Sequence, residues 1–127
     1  MCTGLGLDLC EIARMERLLG DERFLNRFFT PEEILYIRGR GRAAAQSMAG
    51  IFAAKEALGK ALGTGIAFDL REAEVRHTAE GRPFYAFSGM LNTKVGTDRF
   101  WLSITHDGGM AAAVCVRESE DLTCQAQ

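Results

Sequence analysis

The four cysteines, Cys2, Cys10, Cys115 and Cys124, form no CxxC pair, and neither of the two histidines stands at zinc spacing from them. Neither a metal knuckle nor a disulfide framework is favoured by that pattern, and the thiols read as reduced and structural. No run of about 18 apolar residues is present, so no membrane-spanning helix is expected. The start carries no signal-peptide pattern, and a cytoplasmic protein is the expectation. Neither sign of charge dominates: 15 basic and 17 acidic side chains give a net charge of −2, which argues against nucleic acid as the main partner. There is no internal repeat. What remains, at 127 residues, 47% apolar and 25% charged, is a single soluble domain of ordinary composition.

Against that background one stretch stands out: FAAKEALGKALGTGI, Phe52 to Ile66, ends a long alanine-rich helix expected over 43–62 and stops it on Gly63-Thr64-Gly65. Residues three and four apart on a helix are neighbours, so Glu56 and Lys60 project side by side. That sets a metal-ligating carboxylate next to a phosphate-binding ammonium; the plainer alternative is a surface ion pair. Met48, Ile51, Phe52, Leu58 and Leu62 form an apolar stripe with Glu56 and Lys60 at its edge. Lys55 falls within the stripe, where a charge is costly unless it is paired or reaches water.

At the N-terminus, TGLGLDLCEIARMERLL reads as a strand over 3–8 followed by a helix over 11–19. The strand puts Leu5 and Leu7 on one face and Gly4, Gly6 and Asp8 on the other. Asp8 is a second candidate metal ligand, or else an N-cap. Its GxG lacks the third glycine of a dinucleotide fingerprint, and Gly59-Lys60-Ala61 inside a helix is not a P-loop. His106 beside Ser103 and Asp107 is not a hydrolase triad, because strand alternation sends Ser103 and Thr105 to the opposite face and no GxSxG is present. His77 has no visible partner and reads as a surface strand residue.

Between these segments the arginines crowd into one third of the chain. Arg14 and Leu18 share a helix face, Arg23 and Arg27 repeat the spacing, and RGRGR, Arg38 to Arg42, reads as a loop. A basic patch on an acidic protein suggests a locally acidic partner, with a solvated amphipathic face as the alternative. Thr30-Pro31-Glu32-Glu33 has capping-box spacing and should start a short helix. Strands follow over 71–78 and 83–88 around the turn 79–82, then a short helix over 91–95. A hairpin of 100–106 with 110–117 turns at Asp107-Gly108-Gly109, and the tail 119–127 should fray. The fold class is α+β with antiparallel strands, one long helix and several short ones.

GLGLDLCEIAR, FAAKEALGKALGTGI and LSITHDGGMAAAVCV, in that order and spacing, resemble the short, single-domain holo-acyl-carrier-protein synthase type of 4′-phosphopantetheinyl transferase. The resemblance runs from Gly4 to about Glu118 of a domain expected over 1–118, with two departures: Ile51 stands where many members carry arginine, and a short first helix ends on Gly20-Asp21 where relatives carry another basic residue. It implies a pseudo-barrel of strands flanked by helices, assembled as a homotrimer. It implies magnesium held by Asp8 and Glu56, phosphate met by Lys60, and His106 in the coenzyme A pocket. Gly63, Thr64, Gly65, Arg82, Pro83, Ser103 and Thr105 are grouped with Lys60 and His106 as coenzyme A contacts, and Glu56 and Lys60 as the catalytic pair. An apo acyl carrier protein is the implied partner, met by Arg14, Leu18, Arg23, Phe24 and Arg27. The group that takes the proton of the carrier serine is left open between Glu56, a metal-held water and a carboxylate of the partner. A non-catalytic module that binds the carrier or coenzyme A is the alternative reading.

Overall fold

The structure, a computed structural model, describes residues 1–120. Its long helix and its first strand explain each other. Strand β1 (Cys2–Glu11) turns Leu5, Leu7 and Leu9 to solvent and presents Gly4, Gly6, Asp8 and Cys10 inward. Helix α4 (Ala44–Leu62) lies directly on that glycine face. A Cβ added at Gly4 would stand 2.0 Å from the Ala61 carbonyl oxygen, and one at Gly6 would stand 1.8 Å from that of Ala57. The GxG of β1 is therefore a helix-packing surface, made by removing side chains so that two backbones can touch. At its other end α4 comes close to β4, where a Cβ on Gly50 would stand 2.8 Å from the Ile104 methyl.

Strands β4 (Arg99–Asp107) and β5 (Met110–Glu118) form a hairpin through Gly108 and Gly109, both at positive φ, as a two-residue turn between twisted strands requires. Sheet order is β1-β5-β4, antiparallel throughout, with Asp8 opposite Ala113 and Ala113 opposite Ile104. Strands β2 (Ala73–His77) and β3 (Pro83–Phe87) make a second antiparallel pair. Tyr85 and Phe87 pack edge-on against Phe100 of β4, so the two sheets adjoin through side chains rather than through hydrogen bonds. The α+β antiparallel expectation holds, and the pseudo-barrel takes this divided form.

The short helices are α1 (Ile12–Leu18), α2 (Glu22–Phe28), α3 (Pro31–Arg38) and α5 (Gly89–Val95). The sequence reading passed over α2 as a basic segment, although its N-cap signal was present: Asp21 accepts a hydrogen bond from Phe24 N at 3.1 Å. The expected capping box is made at α3, where Thr30 and Glu33 each accept from the other's backbone N–H. Strand β2 begins two residues later than expected, because Leu70–Glu72 forms a 3-10 turn first. β1 runs three residues beyond its expected end. Of the tail expected over 119–127, Ser119 exchanges backbone hydrogen bonds with Met1, and 121–127 lie outside the described residues.

Lys55 meets the pairing condition set by its place in the stripe. Its side chain is fully buried with that of Glu33, and Nζ donates to Glu33 Oε1 at 2.8 Å and to the Leu70 carbonyl at 2.7 Å. Burial pulls the ammonium below its usual range and pushes the Glu33 carboxyl above its own, and each charge counters the shift of the other.

Candidate functional site

Asp8 comes from the inward face of β1 and Glu56 from the α4 turn that packs beside it. Lys60, one turn further along α4, donates from Nζ to Asp8 Oδ1 at 3.0 Å and to the Leu7 carbonyl at 2.9 Å. The lysine is thus turned to β1 and is not the surface partner of Glu56; its side chain stays 54% exposed while that of Asp8 is 11% exposed. Asp8 does not cap the helix that follows, whose N-cap is Glu11.

The other oxygen of Asp8 is the telling one. Oδ2 is buried and has no hydrogen-bond partner, the single such side-chain atom among the described residues. A carboxylate oxygen withdrawn from water without a partner is costly, and native structures rarely leave one so. Beside it stands the Glu56 carboxyl, which burial, the Asp8 charge and, when Glu56 is protonated, a hydrogen bond to Asp8 push above its ordinary value against the pull of Arg14 and Lys60; with both carboxylates ionised Oδ2 is left unmatched. Two carboxylates sharing one partly buried space, one with an unmatched oxygen, are the donor set that a hard divalent cation takes. The residues fit magnesium. Arg14 also closes this region, its guanidinium 5.5 Å from the centre of the Phe52 ring. Burial pushes the neighbouring Cys10 thiol up to about 11, so it stands by as an inert filler.

The residues grouped as coenzyme A contacts do not all come together in one chain. Gly63, Thr64 and Gly65 lie exposed at the C-terminal end of α4, next to Lys60, with Gly63 in the left-handed cap conformation at φ +78°. His106 lies near the other end, where its Nε2 meets the Gln46 side-chain amide at 2.9 Å. Gln46 and Lys60 are almost four turns apart, about 20 Å along the helix axis. Pro83 joins His106 in a cleft of about 210 Å³ floored by Gly50 and Ile104. Ser103 and Arg82 line a separate groove on the outer sheet face, where the Arg82 guanidinium lies 5.9 Å from the Trp101 ring. Thr105 is on that same outer face.

His77 departs from the sequence reading. Rather than a partnerless surface residue, it is half-buried and stacked on Tyr36, with ring centres 4.2 Å apart and planes 10° apart, and it lines the His106 cleft. Arg40 lies over the other ring of this stack, 5.5 Å from Tyr36. Burial, and then the Arg40 charge, hold the His77 imidazole below its ordinary value. Tyr36 and Gln46 were missed, and Arg40 and His77 were read only as a loop arginine and a surface strand residue, because the four meet only when α3, α4 and β2 pack together. No spacing in the sequence announces that meeting.

On the basic face, Arg14, Arg23 and Arg27 are exposed. Leu18 and Phe24 are only half-exposed, since both pack on the core; Phe24 sits 4.9 Å from Phe28 and 5.9 Å from Phe52, ring centre to ring centre.

Residues 4–115 match the family model of the 4′-phosphopantetheinyl transferase superfamily. The holo-[acyl-carrier-protein] synthase of Treponema denticola is 44% identical over 93% of this chain and 99% of its own. The crystal structure of the holo-[acyl-carrier-protein] synthase from Neisseria meningitidis superposes with a TM-score of 0.83 at 32% identity, covering 94% of this chain and 100% of the other. That of Bacillus anthracis, in complex with CoA (3′,5′-ADP), does so at 0.81 and 35%, covering 94% and 99%.

Proposed function

Because the chain belongs to the holo-[acyl-carrier-protein] synthases of the 4′-phosphopantetheinyl transferase superfamily, we propose that Asp8, Glu56 and Lys60 are its working centre. The reaction is transfer of the 4′-phosphopantetheine group of coenzyme A to a serine of an apo acyl carrier protein, dependent on magnesium. The serine oxygen gives up its proton to a general base and forms a bond to the phosphorus that bears the pantetheine. The bond from that phosphorus to the bridging pyrophosphate oxygen breaks, and adenosine 3′,5′-bisphosphate leaves with the electron pair.

The observation that carries this reading is the unmatched, buried Asp8 Oδ2 beside Glu56, with an ammonium on the other oxygen. Asp8 and Glu56 would hold magnesium, which when bound would draw charge from phosphate oxygens. Lys60 is exposed enough to leave Asp8 for a phosphate, and as a compact point charge it stabilises the negative charge that grows on the leaving group. Phosphoryl-type transfer needs little covalent help, so positioning and charge are what the chain has to supply. The turn 63–65 lets a phosphate-bearing ligand approach the backbone. The exposed arginines of α1 and α2 steer an acidic carrier, and the half-exposed Leu18 and Phe24 give it an apolar footing. His106, Arg82, Pro83 and Ser103 serve the nucleotide half of a coenzyme held by a neighbouring copy, in a homotrimer.

Intact mass of an apo carrier protein after incubation with the enzyme, coenzyme A and magnesium tests the reading. The parent adds the phosphopantetheinyl mass, and Asp8→Ala and Glu56→Ala lose most turnover, partly restored by more metal. Lys60→Ala slows the step by about 10²–10³. Arg14→Glu with Arg23→Glu raises the carrier concentration required far more than the coenzyme A requirement. Full activity of Asp8→Ala in limiting magnesium would refute the assignment.

A further inference from the structure

Arg40 is the arginine of the RGRGR run that lines the His106 cleft, and it lies 5.5 Å from the centre of the Tyr36 ring. Backbone hydrogen bonds fix its place in the loop: Arg40 N donates to the Ile37 carbonyl at 3.1 Å, and the Arg40 carbonyl accepts from Ala43 N at 3.1 Å. Arg38, Arg71, Arg76 and Arg117 each hold a carboxylate. Arg40 makes no ion pair and no side-chain hydrogen bond among the described residues, and its side chain is exposed. Its fork of N–H donors is therefore open to a ligand.

The rest of the lining tells what that ligand would be. Among the described residues no carboxylate lines the cleft. On the α4 wall Ile51 is buried and apolar, so the helix brings no cation to the place where many members carry arginine. Burial and the Arg40 charge hold the His77 imidazole below its ordinary value, which leaves it uncharged at neutral pH. Gln46 and Ser47 add neutral polar groups, and the Tyr36–His77 stack adds a flat aromatic wall. Arg40 is thus the lining group whose positive charge holds at every working pH. A guanidinium beside neutral donors, with no carboxylate to compete, suits a phosphate monoester, which it meets through two parallel N–H bonds.

Coenzyme A carries phosphate in two places, the pyrophosphate and a monoester on the ribose 3′ oxygen. The pyrophosphate contains the bond that breaks, so it belongs with Asp8, Glu56 and Lys60, toward the far end of α4. The monoester travels with the nucleotide half. We propose that Arg40 is a specificity-determining residue for the donor: it binds the 3′-phosphate of coenzyme A in the His106 cleft, and so separates coenzyme A from dephospho-coenzyme A, the same molecule without that group. The cation for this phosphate then comes from the loop ahead of α4 and not from the helix itself. The inference rests on the reading of the His106 cleft as the place of the nucleotide half.

Binding of coenzyme A and of dephospho-coenzyme A is measured by calorimetry, with magnesium and without carrier, in the parent, Arg40→Ala and Arg40→Lys; kcat and KM for both donors follow from the intact mass of the carrier. The parent should bind coenzyme A about tenfold or more tightly than dephospho-coenzyme A, the scale of charge-assisted hydrogen bonds to one phosphate. Arg40→Ala should lose that margin by weakening coenzyme A alone, with KM raised and kcat kept, as for an interaction made equally in ground and transition states. Arg40→Lys, which keeps the charge without the fork, should retain part of it. Arg40 is exposed, so both variants should melt with the parent. A parental margin kept in Arg40→Ala overturns the proposal, as does equal weakening of both donors, which would assign Arg40 to the cleft wall through Tyr36. A parent that binds the two donors alike overturns it too. Binding with the expected margin but no transfer to any carrier supports the Arg40 assignment and overturns the proposed reaction, whereas a parent that binds neither donor overturns both.

Discussion

Asp8 and Lys55 could be singled out from the sequence because each is a charge set among residues that offer it no company. His77 could not, and the difference is physical. Its partner Tyr36 is far away in the chain on a different element, and the stack exists only once α3 lies against β2. The stack has a measurable consequence. Burial and Arg40 hold the imidazole below the ordinary value of 6.5, so the folded protein takes up its proton at lower pH than the unfolded chain does. A group with a lowered folded value contributes stability that is present above the unfolded value and lost as pH falls through the folded one. His77 should therefore titrate below 6.5 by NMR. The variant His77→Phe, which keeps a ring for the stack, should lose less of its melting temperature than the parent between pH 7 and pH 5. A His77 midpoint at or above 6.5 would contradict this account of the cleft wall.

At the scale of elements, most of the chain was legible. The long helix, the capping box at α3 and the Gly108-Gly109 hairpin each carry a local signal of spacing or turn chemistry, and each forms close to where that signal placed it. Helix α2 was passed over although Asp21 caps it and Phe24, Leu25 and Phe28 recur at helical spacing, because so short a run among arginines reads first as a basic segment. The GxG of β1 was read correctly as a poor nucleotide motif, but its actual use, as the seat of α4, depends on a contact across more than fifty residues. That use predicts a sharp asymmetry among glycines. Gly6→Ala forces a methyl to 1.8 Å from a backbone oxygen that cannot turn aside, whereas Gly20→Ala meets nothing within 4 Å. Overpacking costs about 1–3 kcal/mol and sometimes more. Urea unfolding should put Gly6→Ala at or beyond the top of that range and Gly20→Ala close to the parent. Similar midpoints for the two variants would mean that α4 does not rest on β1 as described.

At the scale of the whole molecule, the outer face of the three-stranded sheet is the part that a single copy leaves unexplained. Leu5, Leu7 and Leu9 are 65%, 61% and 62% exposed, and register places them in rows with Val116 and Trp101, with Val114 and Ser103, and with Ala112 and Thr105. A contiguous apolar face of this kind marks an interaction site more often than a free surface. The alternation in β1, β4 and β5 made such a face legible in sequence; which way it pointed became clear only when the glycines took the inner side. The proposed coenzyme contacts would give the same face a functional reason. Lys60 and His106 lie near opposite ends of α4, and if both are to meet the phosphate-bearing half of one coenzyme they come from different copies. In a homotrimer closed through this face, each site would take Glu56 and Lys60 from one copy and His106 from the next. Sedimentation at micromolar concentration should give a trimer, and Leu7→Asp, which puts a charge at the centre of the face, should dissociate it and abolish most turnover. Glu56→Ala and His106→Ala, each impaired alone, should recover about a quarter of parental activity when mixed in equal amounts and allowed to exchange subunits, since chance pairs two intact halves at one site in four. A fully active Leu7→Asp monomer, or no recovery in mixtures shown by mass to have exchanged, would return the whole site to a single chain.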